Sequence, residues 1–303
     1  MTKNSSKETK LLSPKLDIVF RCIFGDPKNV ELLTALLKSI LDLPESEYER
    51  IEIVNPFSLK EYPQEKEIIL DVKVHTTSGK VIDVELQCQN HDGFASRIVY
   101  YVSKLTNKQL ERGDDYATME QVIAIVIMDF TLLKDESDYH NRFHLRNDKS
   151  GRLFSDIIEV NTIELPKLPD ISDNTELWEF MQFLNAETEE EMEAVARENP
   201  TIQKTVAIVR ELSRDEKARM YAEAREKAIR DEKAALRTAM REGREEGLEE
   251  GLEKGLEKGL EKGREEGIKQ GRIAIARNLK AQNISVEIIA ASTGLSAAEI
   301  ESL

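Results

Sequence analysis

Apolar and polar residues follow two different patterns along the chain, and the change falls near residue 201. Before it, β-branched and other apolar residues alternate with polar ones in short runs, which predicts strands. Apolar residues at spacings of three and four predict helices between these runs. The predicted strands are 51–54, 66–75, 80–89, 121–130, 141–146 and 156–164, and the predicted helices are a short one ending at Gly25, 28–42, 93–112 and two within 173–198.

After residue 201, Glu, Lys, Arg and Ala dominate, and these residues favour a helix. We expect one long charged helix over 201–272. A glycine recurs in it at every fourth position, at 243, 247, 251, 255, 259, 263, 267 and 271. Each glycine disfavours the helix by up to about 1 kcal/mol relative to alanine. A contact between helix backbones in a dimer or bundle would compensate, and a weakly ordered linker is the alternative.

The last segment, 273–303, resembles a helix-turn-helix. Ser285 can cap a second helix, Thr293-Gly294-Leu295 predicts a turn, and Ser296 with Glu299 forms a capping-box pattern. A helix that contacts base edges usually carries Arg, Lys, Asn or Gln, whereas the last helix here carries acids. A packing or partner-binding role is therefore favoured over DNA reading.

Composition limits the class of protein. No apolar run approaches the roughly 20 residues that span a bilayer. Residues 1–12 form a polar stretch without an apolar signal core, so we expect a disordered tail and a cytoplasmic protein. Cys22 and Cys88 lie in no CxxC pair, which predicts two buried thiols instead of a disulfide framework or zinc ribbon. His140 and His144 would share a helix face as a zinc pair, but their segment is predicted as a strand.

The net charge of −15 argues against a passive nucleic-acid binder, because affinity for phosphate comes mostly from Lys and Arg. A bound metal ion or a local basic groove would offset this charge.

The stretch 70–87 carries the most informative chemistry. Two strands, 70–75 and 81–87, each place apolar residues on one face. The opposite face carries Asp71, Lys73, Asp83, Glu85 and Gln87. Thr77-Ser78-Gly79 suits a three-residue hairpin loop with glycine in the left-handed position. The resulting register pairs residues whose numbers sum to 156.

In this register Asp71 faces Glu85, and Lys73 opposes Asp83 and neutralises it. Opposed side chains have Cβ atoms roughly 4.5–5.5 Å apart, so the Asp71 and Glu85 carboxylates would repel each other unless a divalent cation joined them. Mg²⁺ is often held by one or two carboxylates with water and phosphate. An exposed hairpin face that happens to carry acids is the alternative.

The same hairpin, followed by a helix and a strand, resembles the PD-(D/E)XK nuclease core. Within that superfamily the chain is similar to the Rpn family of recombination-promoting nucleases and transposases, where Gln is usual at the third position in place of Lys. The matching motifs are Asp17-Ile-Val-Phe20-Arg21-x-Ile23-Phe24-Gly25, Leu70-Asp71-Val72, Val84-Glu85-Leu86-Gln87, Arg97-x-x-Tyr100-Tyr101-x-Ser103-Lys104, and Gly113-x-x-Tyr116 followed by Val122-Ile123-Ala124-Ile125. They cover roughly residues 11–170, and the family normally shows Lys where this chain has Arg21.

The resemblance implies an α/β fold with a restriction-endonuclease-like core, a mixed central sheet flanked by helices, over 13–200, followed by the long helical extension. It implies Asp71 and Glu85 as ligands of Mg²⁺ or Mn²⁺ and Gln87 in the third catalytic position. Asp17 is expected to complete the acidic cluster. Arg97 and Tyr101 lie four residues apart on the next helix, where they would contact phosphate or support the site. Core packing is the alternative for Tyr100 and Tyr101.

The function implied is a metal-dependent DNA endonuclease that promotes recombination or acts on mobile or foreign DNA. The alternative is a weakly active or inactive nuclease-fold protein that serves as an oligomeric DNA- or protein-binding module. In both cases DNA and a second copy of the chain, joined through the C-terminal helix, are the expected partners. The patterned first half argues against a purely structural coiled-coil protein.

Overall fold

The computed structural model describes residues 10–57 and 71–303 and contains one six-stranded mixed sheet. The strands are β1 (Glu52–Ile53), β2 (Val72–His75), β3 (Val81–Gln87), β4 (Val122–Met128), β5 (His140–Arg146) and β6 (Leu153–Glu164). Their order is β1-β2-β3-β4-β6-β5, with β3, β4 and β6 parallel and the other neighbours antiparallel. The six predicted strands are confirmed, except that 66–70 lie outside the described residues.

Helices lie before, between and after the strands, and from Glu176 onward all regular elements of the chain are helices. They are α1 (Asp17–Phe24), α2 (Val30–Ile40), α3 (Phe94–Asn107), α4 (Glu176–Asn185), α5 (Glu189–Ala196), α6 (Pro200–Arg214), α7 (Glu216–Ala281), α8 (Val286–Thr293) and α9 (Ala297–Glu301). The α/β architecture with a mixed sheet between helices is thus confirmed.

The sheet is covered by helices on both faces. One face, with Ile82 and Val84 of β3, packs with α1, α2, α4 and α6 into the main core. Alternate residues of β4, such as Val122 and Val126, pack on the other side against α3 through Phe94. Because β4 is buried on both faces, its sequence is continuously apolar.

The long helix predicted over 201–272 is two helices. The chain leaves helical geometry at Asp215, whose backbone is extended, and the Asp215 carboxylate accepts a hydrogen bond from the Ala218 amide at 2.8 Å. Asp215 therefore caps the start of α7. The helix-favouring composition on both sides conceals this boundary.

The chain divides into two compact units, Met1–Arg230 and Asp231–Leu303. In the second unit, Ala276, Ile289, Leu295 and Ile300 form a small core between the end of α7, α8 and α9. Gly294 adopts the predicted left-handed conformation with φ of 71°, and the Ser296–Glu299 capping box is present. Ser285 occupies the position before α8, but its side chain makes no capping hydrogen bond.

The glycine repeat forms a continuous part of α7. A methyl group added at any glycine from Gly243 to Gly271 would meet no atom within 4 Å among the described residues. The leucines beside the repeat, at 248, 252, 256 and 260, are each 67% exposed. Contacts within the described chain therefore do not compensate for the glycines.

Other predictions are partly corrected. Cys22 is buried as predicted, but Cys88 is half-buried, with its thiol donating to the Lys15 carbonyl at 3.1 Å. His140 and His144 lie on β5, where they contact Asn161 and Glu159 instead of sharing a ligand. Among the helices of the described residues, none combines the length and apolar character needed to cross a bilayer.

Candidate active site

The β2–β3 hairpin has the predicted register. Lys73 pairs with Asp83 and Val74 with Ile82, so partner numbers sum to 156. The turn closes through a hydrogen bond from the Thr76 amide to the Lys80 carbonyl at 3.1 Å, and Gly79 has φ of 99°. The apolar face of the hairpin is buried in the main core, and its acidic face lies on the α3 side of the sheet.

Asp71 stands one residue before the first paired position of β2 and is only 9% exposed. The predicted opposition of Asp71 and Glu85 thus lies just beyond the ladder of paired residues. Asn55 holds this strand start, because its side-chain amide donates to the Asp71 carbonyl at 3.1 Å and its oxygen accepts from the Lys73 amide at 2.8 Å. Arg21 in turn donates to the Asn55 carbonyl at 3.1 Å. Asn55 was missed in the sequence analysis, since no local pattern joins it to the hairpin.

Lys73 forms its ion pair with Asp71, at 2.7 Å between Nζ and Oδ2. Lys73 also opposes Asp83 in the sheet, as predicted, and its charge lowers the pKa of Asp83 in part. Burial alone would lower the pKa of Lys73, whereas the Asp71 hydrogen bond and the Asp83 charge raise it above its usual value. The ammonium group is therefore shared by two acids and held fully charged.

Asp83 lies beside Asp71, although the sequence motifs gave it no role in the predicted metal site. Burial, followed by the neighbouring Asp71 carboxylate, raises the pKa of Asp83 to about 8. One oxygen of each acid, Asp71 Oδ1 and Asp83 Oδ1, is buried and has no hydrogen-bond partner among the described residues. Two buried acceptor oxygens side by side are costly unless a proton or a cation lies between them.

Glu85 follows on the same face, where it meets Gln87 and α3. Burial raises the pKa of Glu85 above its usual value. The Arg97 charge, the Gln87 hydrogen bond and the Lys73 charge lower this pKa in part, and the Asp71 charge raises it further. Arg97 Nη2 lies 3.5 Å from Glu85 Oε1, and its guanidinium stacks 4.8 Å from the centre of the Phe94 ring. The Gln87 side-chain amide donates to Glu85 Oε1. The structure therefore brings Glu85, Gln87 and Arg97 together as predicted.

The donor set suits a hard divalent cation. Mg²⁺ prefers oxygen ligands and usually keeps several waters while one or two carboxylates hold it. The unpartnered oxygens of Asp71 and Asp83 and the adjacent Glu85 carboxylate offer such ligands. In residues 10–57 and 71–303, no group of three or more His, Cys, Asp or Glu side chains is arranged to hold a metal ion by itself. Water and substrate phosphate would have to complete the coordination shell.

Asp17 is placed differently from the expected acidic cluster. Its carboxylate, 3% exposed, accepts from the Ile18 amide at 2.8 Å and from Arg225 Nε at 2.6 Å. Within the described part of the chain, the hydrogen bonds and ion pairs of Asp17 join it to α7 and to its own helix, and none reaches the hairpin acids. Asp17 therefore anchors α7 to the first helix.

The tyrosines of α3 are on the surface. Tyr100 is 61% exposed and Tyr101 is 48% exposed, so the core-packing alternative is wrong. Tyr101 lies one helical turn beyond Arg97, on the same side of α3. Arg97, which precedes it on this side, contacts Glu85 of β3.

Comparison with known proteins adds one finding. The model of a family described as PD-(D/E)XK nuclease family transposase matches residues 14–239. No curated protein and no solved structure matches the chain. The matched range includes both acidic strands of the hairpin, α3 and the first part of α7. This chain, with an acidic hairpin set in a mixed sheet between helices, belongs to the PD-(D/E)XK nuclease family transposases.

Proposed function

We propose that the chain is a Mg²⁺- or Mn²⁺-dependent endonuclease that hydrolyses phosphodiester bonds in DNA. The observation that carries this proposal is the pair of buried carboxylate oxygens on Asp71 and Asp83, beside Glu85, for which residues 10–57 and 71–303 supply no hydrogen-bond partner. A fold gains no stability from acids arranged in this way, whereas a cation and a phosphate would use them.

Asp71 and Glu85 are the proposed ligands of the metal ion, with Asp83 beside them. When bound, the ion would supply an activated water and would stabilise charge on the scissile phosphate. Because the pKa of Asp83 is raised to about 8, this acid holds a proton at neutral pH and spares Asp71 a second adjacent negative charge. A nearby cation favours release of that proton, so metal binding and the charge of Asp83 are coupled.

Four other side chains prepare the site for a phosphodiester. Lys73 and Arg97 place positive charge beside Asp71 and Glu85, where they would also contact phosphate oxygens. Gln87, held by Glu85, can present its amide to the attacking water. Asn55 fixes the backbone at Asp71 and Lys73 and acts as a positioning residue.

Promotion of recombination, or action on mobile or foreign DNA in the cytoplasm, is the biological role that we propose with this activity. We further propose that α7 joins two copies of the chain, because the leucines beside its glycine repeat are exposed along several turns. The same exposed leucines favour the second candidate, an oligomeric DNA- or protein-binding module with little cleavage activity.

A plasmid-nicking assay separates these candidates. The full-length protein is incubated with supercoiled DNA in Mg²⁺ or in EDTA, beside Asp71→Asn and Glu85→Gln. Asp148→Asn, an exposed acid of the β5–β6 turn, is the matched control. We expect nicking by the wild type and the control in Mg²⁺ only, and a loss of at least about 100-fold in both site variants. Equal nicking by Asp71→Asn would refute the proposal, and no nicking by any form would favour the binding module.

A further inference from the structure

One flank of α3 carries a stripe of aromatic and basic side chains. Arg97, Tyr100, Tyr101 and Lys104 recur at spacings of three and four, which places them on one side of the helix, and Lys108, the residue directly after α3, continues this side. The core-facing residues of α3, Phe94, Ile98 and Val102, lie on a different side. The stripe extends over 11 residue steps, about 16 Å at the helical rise.

This stripe begins at the candidate active site. Arg97, its first member, lies 3.5 Å from Glu85. The Tyr100 and Tyr101 rings follow, with their centroids 5.5 Å apart and their planes at 71°. Lys104 Nζ lies 6.0 Å from the Tyr100 ring centre, so a cation borders the aromatic pair. A DNA strand that lay along the stripe would therefore reach the hairpin acids.

The charge of α3 differs from that of the whole chain. Residues 93–110 contain three basic residues and no acidic one, whereas the complete chain has a net charge of −15. Such a local basic surface attracts a phosphate backbone. The sequence objection to nucleic-acid binding therefore does not apply to this flank.

The two rings indicate which form of DNA the stripe suits. Tyr100 and Tyr101 are 61% and 48% exposed, although aromatic side chains are usually more buried. Exposed rings bordered by cations offer stacking surfaces to bases. In a duplex the base faces are already stacked on each other, so only unpaired bases are available to such rings.

Resting on the nuclease function proposed above, we propose that the Arg97–Lys108 flank of α3 is the substrate-binding surface and that it takes DNA with unpaired bases. The bases stack on Tyr100 and Tyr101, and Lys104 and Lys108 contact the phosphates. Arg97 positions the strand at Glu85. The preferred substrate is then a single strand, or a duplex with a locally unpaired segment.

Binding measured without cleavage tests this inference. The full-length protein is titrated, in EDTA, into a fluorescein-labelled 20-nucleotide single strand and into the matching duplex, and anisotropy is recorded. We expect the single strand to bind at least about tenfold more tightly. Tyr100→Ala and Tyr101→Ala should each weaken single-strand binding by about tenfold, since one stacked base contributes roughly that factor.

Tyr→Phe variants at both positions distinguish stacking from hydrogen bonding by the hydroxyl groups. We expect them to bind within about twofold of the wild type, because phenylalanine keeps the stacking surface. Phe154→Ala, which removes an 86% exposed ring on β6, is the control and should bind like the wild type. Circular dichroism verifies that each variant is folded.

Three results would overturn the inference: single strand and duplex bound equally well by the wild type, Tyr→Ala variants that bind like the wild type, or Phe variants as weak as the Ala variants. The third result would indicate that the hydroxyls contact phosphate. Because EDTA prevents metal-dependent cleavage, these results are independent of the nicking assay. If the wild type nicks DNA and the Tyr→Ala variants bind like the wild type, the proposed surface is refuted and the nuclease function is not. If binding depends on the tyrosines but the wild type does not nick DNA, the nuclease function is refuted and the surface is not.

Discussion

Asp83 lies beside Asp71 on the acidic face of the hairpin, and each acid holds a buried oxygen that has no hydrogen-bond partner in the described part of the chain. The raised pKa of Asp83, about 8, makes this relationship measurable through stability. An unfolded aspartate releases its proton near pH 3.8, whereas folded Asp83 releases it near 8. The unfolded chain therefore binds fewer protons in between, and the free energy of unfolding should fall as pH rises from about 4 to 8.

Replacing Asp83 with Asn should remove this dependence. We expect Asp83→Asn to raise the free energy of unfolding on the order of 1–3 kcal/mol at pH 8.5, without added metal. The gain should be much smaller at pH 5, where Asp83 is already neutral. Urea denaturation at both pH values measures it, with Asp148→Asn as the control. Equal effects of Asp83→Asn at pH 5 and 8.5 would contradict the assigned pKa.

Metal binding should act on the same pair of acids. Mg²⁺ at the site favours the ionised form of Asp83, so it should raise the melting temperature more at pH 8.5 than at pH 6. At millimolar Mg²⁺ we expect a rise of a few degrees in the wild type. Asp71→Asn should lose this rise and Asp148→Asn should keep it. An equal rise in Asp71→Asn would place the bound ion elsewhere.

The motif resemblance of the hairpin implies that Gln87 takes the third catalytic position, where lysine is usual in PD-(D/E)XK nucleases. Because the Gln87 amide donates to Glu85, its proposed task is to orient water and the carboxylate. We expect Gln87→Ala to lower nicking by about 10²-fold, the lower range for loss of one proton-transfer or orienting group. Gln87→Lys should retain much more activity, since an ammonium group can donate to the same acceptors. A comparison of rates in saturating Mg²⁺ provides the measurement, and equal losses in the two variants would argue against an orienting role.

The hairpin was predictable because its pattern is local. Alternation in β2 and β3 fixes the faces, and Gly79 fixes the turn, so Lys73 and Asp83 were correctly paired from sequence. The ion-pair partner of Lys73 was less predictable. Lys73 has two acids within reach, and its ammonium group bonds Asp71, which precedes it by two residues on the same face.

The long-range contacts were not predictable. Asn55 reaches Asp71 across 16 positions and Arg225 reaches Asp17 across 208, and no periodicity within either segment indicates such a contact. The helix boundary at Asp215 was hidden for a different reason: a capping aspartate within a charged, helix-favouring stretch resembles any surface acid.

The Asp17–Arg225 contact should stabilise the packing of the start of α7 on α1 within the first unit. Asp17 is 3% exposed, so Arg225→Ala would leave a buried carboxylate without its guanidinium partner. We expect a loss of about 2–3 kcal/mol, reduced from the fully buried case because Arg225 is partly exposed. Urea denaturation measures the change, with Arg230→Ala as the control. If Asp17→Asn combined with Arg225→Ala is no more stable than Arg225→Ala alone, the uncompensated charge is not the cause.

Alanine substitutions in the glycine repeat distinguish a helix that pairs with a second copy of the chain from a weakly ordered linker. Alanine at Gly255 and Gly259 would meet no atom within 4 Å in the described chain, so each substitution should stabilise an isolated helix by about 1 kcal/mol. If two copies pack closely along this stripe, the added methyl groups should instead separate their backbones and weaken the association by at least tenfold. We expect this second result, measured by sedimentation equilibrium together with helix content.

Thr238→Ala provides the matched control for the glycine substitutions, since it raises helix propensity on an exposed position of α7 before the repeat begins. The control should leave the association constant unchanged. Glycine has a low helix propensity whether or not a partner is present. A loss of association that coincides with a gain in helix content therefore indicates close packing of the two helices. A double alanine variant with higher helicity and an unaltered mass would identify the repeat as a linker and remove the proposed role of α7 in pairing.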